Sequence, residues 1–241
     1  MDRLPSTTAP RVRRSRAEQK QKTRDSLVAA GLMAFTRDGY HGATLDGIAN
    51  EAGFSKGAVY SNFGGKAELF LAVMDYNLSV LRSDGWDPFA LPSTNDADTP
   101  GATAGTPDED VAEIVRGFGL ATLEFITTAA RDETLIHALR ARVQVLLDAY
   151  GRVAATHRSA GECLAAEDVA QLMAALDQGA SLLALSGVAT IDGALMRSGL
   201  RRLLLDATNA ANERSPSPDG HASPLPDVEQ VRRLIRDMPG D

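Results

Sequence analysis

Apolar positions recur at helical spacing along most of the chain, and no strand-like alternation competes with them. Leu27, Val28, Gly31, Leu32 and Phe35 fall at i, i+1, i+4, i+5 and i+8, which predicts one apolar face on a helix over Arg16–Asp38. "DGYHG" (Asp38–Gly42) then breaks the pattern. Thr44 suits the N-cap of a short helix, Leu45–Ala52, with Leu45, Ile48, Ala49 and Ala52 inward. Gly53 is placed to stop that helix, and Ser55 to cap another over Lys56–Phe63. Gly64 and Gly65 end it. A fourth helix is predicted from Lys66 to beyond Leu81, with Leu69, Phe70, Val73 and Val80 on its apolar side.

The rest follows the same period, with two interruptions. Residues 83–110 are loaded with Pro, Gly, Thr and Asp and read as a flexible loop whose first part Trp86 and Phe89 anchor. Helices are predicted at about Val111–Ala130, Glu133–Arg158, Ala166–Ala189 and Asp192–Asn212. Residues 213–241 read as a linker followed by a short amphipathic helix, Val228–Met238, with Val228, Val231, Leu234 and Ile235 inward. Residues 1–15, rich in Pro, Ser, Thr and Arg, read as a disordered basic arm. The fold class is all-α.

Composition narrows the function classes. The 241 residues are 44% hydrophobic and 24% charged, ordinary for a soluble protein able to bury one large core or two modest ones. No apolar run reaches the roughly 18 residues of a membrane span, and the N-terminus lacks the apolar core of a secretory signal. No membrane partner and a cytoplasmic location are expected. The single cysteine, Cys163, excludes an internal disulfide and a cysteine-cluster metal site. The four histidines are scattered and no Ser/His/Asp grouping appears, so no enzyme, metal or cofactor is expected. "DEDVAE" (Asp108–Glu113) reads as acidic capping of a helix N-terminus.

The net charge of −7 conceals an asymmetry. Residues 1–24 carry eight basic against two acidic side chains; residues 1–80 are +3, and everything beyond is −10. One end is suited to a polyanion, although a solvated basic tail accounts for the counts equally well.

Residues 44–63, "TLDGIANEAGFSKGAVYSNF", give that end a form: a capped helix, a turn opening on glycine, and a second helix. Ala49 is small where the two helices must cross, Gly53 supplies the positive φ of the turn, and Ile48 and Val59 are set to pack together. This is the helix-turn-helix layout, whose second helix enters the DNA major groove. Lys56, Gly57, Tyr60, Ser61 and Asn62 fall on or near its outer face, with Ser55 at its cap. Asn62 suits adenine and Lys56 guanine or phosphate. Thr44, Tyr60 and Lys66 are placed to donate to phosphates. Gly64 and Gly65 are expected to aim the next helix N-terminus at a phosphate, with Lys66 reinforcing it. The basic segment Arg11–Arg24 is expected to follow the backbone or minor groove, and His41 to be solvent-exposed or to touch phosphate. Phe63 should point inward and Tyr60 outward.

These residues carry a resemblance. "AAGLMAFTRDGYHGATLDGIANEAGFSKGAVYSNFGGKAELF" (Ala29–Phe70) looks like the DNA-binding domain of the tetracycline-repressor (TetR) family of bacterial transcription regulators, and the likeness covers about Lys22–Leu81. The family often has histidine where Asn62 stands, and Ser or Pro where Gly65 stands. The resemblance implies an N-terminal three-helix DNA-binding domain, here residues 16–82, and a helical ligand-binding and dimerisation domain, here residues 111–212. It implies a homodimer on a near-palindromic double-stranded operator, and repression relieved by a small-molecule effector. Rival readings are a DNA-organising protein without a ligand, and a helical small-molecule-binding protein whose helix-turn-helix is only structural.

In the second half, leucines alternate with Gly179, Ala180, Ala184 and Gly187. Leu172, Leu176 and Leu183, with Leu195, Leu200 and Leu203 on the next helix, suit a dimer-forming pair or one buried intramolecular pair equally. Met74, Phe118, Phe125, His137, Tyr150 and Met173 are pocket candidates, because aromatics and Met adapt to apolar ligands; each also reads as plain core.

Overall fold

A computed structural model describes residues 16–83, 85–89, 107–159, 161, 164–187, 191 and 193–205. Among them it has eight α-helices and no strand: α1 (Arg16–Gly42), α2 (Leu45–Glu51), α3 (Lys56–Asn62), α4 (Lys66–Asn77), α5 (Pro107–Ala129), α6 (Glu133–His157), α7 (Ala166–Leu185) and α8 (Gly193–Arg202), with a 3₁₀ turn at Val80–Arg82. The predicted arm 1–15 and the predicted segments beyond Leu205, including Val228–Met238, lie outside the described residues.

Local chemistry sets the boundaries. The expected break before Gly42 is made at Gly39, whose φ of 74° and ψ of 174° are open to glycine alone; helical turns resume through Gly42. The Thr44 hydroxyl accepts from Gly47 N–H at 3.1 Å and caps α2. Gly53, at φ 76°, closes α2 in a Schellman motif: Phe54 N–H donates to Ala49 O at 2.8 Å and Gly53 N–H to Asn50 O at 3.0 Å. Pro107 opens α5, where its missing N–H leaves no bond unmade. Asp132 caps α6 by accepting from Thr134 and Leu135 N–H.

Two expected ends move. α4 does not run past Leu81; it stops at Asn77, and the Ser79 hydroxyl takes the Tyr76 carbonyl at 2.6 Å, a local bond that competes with continued helix. Val80, expected on the apolar side, is therefore exposed. α7 stops at Leu185 because Gly187 takes φ 70°.

Packing forms two cores. The first holds Leu27, Phe35, Ile48, Val59, Phe63, Leu69 and Phe70 from α1–α4, and it also takes in Ala121, Phe125, Ala129 and Leu139 from α5 and α6. Residues on both sides of the loop expected at 83–110, whose last four residues already belong to α5, therefore share the first core. Within the first core an aromatic cluster joins α4 to α5: the Phe70 ring lies 4.7 Å from Phe125 and 5.5 Å from Phe118, with Tyr40 5.1 Å from Phe125. The second core joins α6, α7 and α8 through Tyr150, Val153, Val169, Met173 and Leu200. Trp86 stands on Tyr150 at 5.3 Å and Phe89 on His157 at 5.5 Å, so both anchor the loop as expected.

Close crossings depend on small residues. A Cβ on Gly31 would meet Val73 Cγ2 at 3.3 Å where α1 crosses α4. Gly117 is tighter: a Cβ there would lie 2.3 Å from the Thr36 carbonyl oxygen, so only glycine lets α5 lie against α1. Arg142 of α6 grips the C-terminal half of α4, with a 2.6 Å ion pair to Asp75 and a bond to Leu71 O. Arg152 donates to Leu81 O.

Candidate nucleic-acid interface

The unit α2–turn–α3 leans on α1 and α4 by its inner side alone. Ile48, Ala49 and Val59 are buried together with Phe63, while Tyr60 is 53% exposed, so the two aromatics point opposite ways. Lys56, Gly57, Tyr60 and Ser61 share the outward side of α3, with Ser55 and Thr44 exposed beside them. Ser55 stands at the N-cap position of α3 without its hydroxyl entering the cap.

Three of these polar groups are already engaged inside the protein. Lys56 Nζ pairs with Asp46 Oδ2 of α2 at 2.7 Å, and that bond raises the ammonium's pKa. The Ser61 hydroxyl donates to Ala58 O at 3.0 Å. Thr44 uses an acceptor lone pair for its cap, which leaves its O–H proton to donate.

The structure corrects the positions expected of Asn62, Lys66 and the Gly64–Gly65 turn. Asn62 does not face outward. Its Nδ2 donates back to Ala58 O at 2.8 Å, its Oδ1 is buried with no partner among the described residues, and Arg24 Nη1 donates to its carbonyl at 2.8 Å. Arg24 also lies 4.2 Å over the Phe63 ring, so this member of the basic segment is a brace between α1 and α3. Lys66 turns inward. Its Nζ donates to His41 O and Ala43 O, each at 3.1 Å, and lies 5.0 Å over the Tyr40 ring; burial lowers its pKa. The N-terminus of α4 holds a carboxylate of its own. Glu68 Oε2 accepts from Gly64 N–H at 2.7 Å, one residue before the N-cap Gly65, a shifted form of the bond that an N3 acid makes to an N-cap. That spacing was readable in "GGKAE".

Between the start of α1 and the end of α3 lies an open groove of about 360 Å³, lined by Arg16, Gln19, Lys20, Thr23, Phe54, Ala58, Ser61 and Asn62. Its two cations stand one helical turn apart beside the outward side of α3. His41 is exposed at the edge of the unit.

The pocket candidates do not converge. Phe125 belongs to the first core and Met74 and Phe118 pack against it, Tyr150 and Met173 belong to the second core, and His137 is exposed on α6. Apolar spacing marks which side of a helix is buried but not which neighbour covers it. Of the six leucines expected at a dimer face, Leu200 is buried against α6 and α7, and Leu176 and Leu203 are partly buried against the same core. Leu172, Leu183 and Leu195 remain exposed, at 45%, 43% and 59%.

The family model for bacterial regulatory proteins of the tetR family matches residues 27–73. The HTH-type transcriptional regulator SrpR of Pseudomonas putida is 43% identical over 71 residues, which is 30% of this chain and 33% of SrpR. The uncharacterized HTH-type transcriptional regulator TtgW of the same species is 45% identical over 71 residues, 30% of this chain and 53% of TtgW. The match thus spans about a third to a half of the length of these relatives. For the helical remainder the likeness is of fold alone. A crystal structure described as a putative TetR-family transcriptional regulator from Rhodococcus sp. superposes with a TM-score of 0.53 at 22% identity, covering 76% of this chain and 96% of that one. Among the described residues no helix is long and apolar enough to cross a membrane. With the α2–turn–α3 unit, its outward polar side and the matched residues in one place, residues 27–73 carry the DNA-binding unit of the tetR family of bacterial regulatory proteins.

Proposed function

We propose that this protein is a sequence-specific, homodimeric transcription regulator that represses from a near-palindromic operator and leaves it when a small-molecule effector binds its C-terminal helices. The observation that carries the DNA reading is the division of α3. Val59 and Phe63 fix it to the core, and Lys56, Gly57, Tyr60 and Ser61 are exposed on the other side. In the major groove Gly57 keeps the surface low, so the backbone approaches base edges. Lys56 exchanges Asp46 for guanine or phosphate, and Tyr60, Ser55 and the Thr44 hydroxyl donate to phosphates. Arg16 and Lys20, at the groove beside α3, extend the contact along the strand.

The homodimer rests on α7. Leu172, Leu176, Gly179 and Leu183 recur at i, i+4, i+7 and i+11, an apolar stripe with a small residue at its middle. Its exposed leucines suit a second copy related by a two-fold axis. Two recognition helices then reach half-sites about one DNA turn, roughly 34–36 Å, apart. Support for an effector comes from the length of helical chain beyond the DNA unit, where Tyr150 and Met173 share one core.

Selection of bound duplexes from a random pool by the full chain tests this. The expected product is an inverted repeat with half-sites one turn apart. No enrichment would sink the DNA reading, and a lone half-site would sink the dimer. Screening metabolites for release of the selected duplex tests the effector, and release by none would contradict it.

A further inference from the structure

The turn between α1 and α2 is held from outside the DNA-reading unit. His41 N–H donates to Glu124 Oε2 of α5 at 2.9 Å, across 83 positions of sequence. Gly39 makes room for that carboxylate, since a Cβ there would lie 2.7 Å from Glu124 Oε1. The carbonyls of the same turn, His41 O and Ala43 O, are taken by Lys66 at the start of α4. Tyr40, between Gly39 and His41 in sequence, is buried against Phe70 and against Phe125, the residue after Glu124. The turn runs directly into Thr44 and α2, so its position sets the attitude of α2 and α3.

We propose that Glu124 is a positioning residue: by holding the His41 amide against α5 it fixes the attitude in which the recognition helix meets its operator. Glu124 reaches no DNA itself; it acts through the turn. A carboxylate near Lys66 also offsets positive charge beside a polyanion, so its electrostatic and positioning effects have opposite signs. Loss of the charge alone tightens binding to any DNA. Loss of the positioning bond weakens binding to the correct sequence and leaves binding to other sequences little changed. The proposal rests on the DNA-binding reading above.

The test uses the full chain with E124A and E124Q, the operator selected by the wild type, and a scrambled duplex of equal length. For E124A the ratio of operator to scrambled affinity is expected to fall by about tenfold, the scale of one charge-assisted hydrogen bond. E124Q keeps an oxygen that accepts from His41 and is expected to restore most of that ratio. In the DNA-free chain, amide exchange at His41 is expected to quicken in E124A and to stay near wild type in E124Q. Unfolding midpoints measured alongside separate a loss of folded protein from a loss of discrimination. An unchanged ratio in E124A overturns the proposal, as does tighter binding to both duplexes. A wild-type chain that enriches no sequence sinks the DNA reading instead. The clamp is then decided by exchange at His41, and no acceleration in E124A overturns it.

Discussion

Lys66 presents two of its three ammonium donors to the backbone carbonyls of the turn before α2. Lys66→Ala leaves those carbonyls without their donor, and is expected to lower stability by about 1–3 kcal/mol. A phosphate contact predicts something else, a fall of about one in the slope of log affinity against log salt. Denaturant unfolding and a salt titration on the selected operator separate the two. A reduced slope at unchanged stability would restore Lys66 to the DNA. Gly57 gives the opposite trade. Its exposed Cα has only Ser55 Oγ near, at 3.6 Å from a built Cβ, so Gly57→Ala meets no clash. Ordinary helix propensity then adds about 0.5–1 kcal/mol of stability, while operator affinity falls if bases approach this point. Unchanged affinity would move the reading surface elsewhere on α3. At this scale the sequence is legible where one helix decides the direction, as for Phe63 and Tyr60. It is illegible where a long side chain chooses a partner from another element. Nothing near Lys66 or Asn62 in sequence announces His41 or Arg24.

Elements were legible where their ends are made locally. Thr44, Gly53 and Asp132 act within five residues of themselves, and α2 and α6 begin or end beside them. The end of α4 was not, because the Ser79 hydroxyl competes with a helix that the apolar pattern would continue. The crossings were invisible as well. "GFG" at 117–119 has no helical signal of its own, yet its two glycines meet different partners. A Cβ on Gly117 strikes the Thr36 carbonyl at 2.3 Å, whereas one on Gly119 meets only the Leu185 side chain at 3.1 Å. A backbone oxygen cannot turn away and a leucine tip can. Gly117→Ala is therefore expected to cost about 1–3 kcal/mol or more by forcing α5 off α1. Gly119→Ala should cost clearly less. Thermal unfolding of the two variants decides it: equal losses would mean that α1 and α5 shift apart without strain. The Gly117 variant should also loosen the His41–Glu124 contact, since α5 carries both residues' support.

For the whole molecule, the all-α class follows from a 3.6-residue period sustained across the chain, and the charge partition places the cationic end where α3 lies. The joining of the halves does not follow, because one core runs through both and is assembled from positions far apart in sequence. The same limit applies to the leucines of α7 and α8. Their spacing fits an inner or an outer partner, and the fold divides them: Leu200 is buried at home, while Leu172 and Leu183 look outward. An exposed apolar stripe points to a partner surface, and a second copy uses the same stripe twice. Leu172→Glu with Leu183→Glu places two like charges on each side of the two-fold axis and disturbs neither core. Sedimentation should then report one chain mass where the wild type reports two, with the unfolding midpoint extrapolated to low concentration unchanged. Operator affinity should fall far more than affinity for an isolated half-site, because linkage of the two recognition helices is lost while each α3 is intact. A variant that remains dimeric would return the interface to some other face. A monomeric variant with full operator affinity would show that one copy reads the site alone.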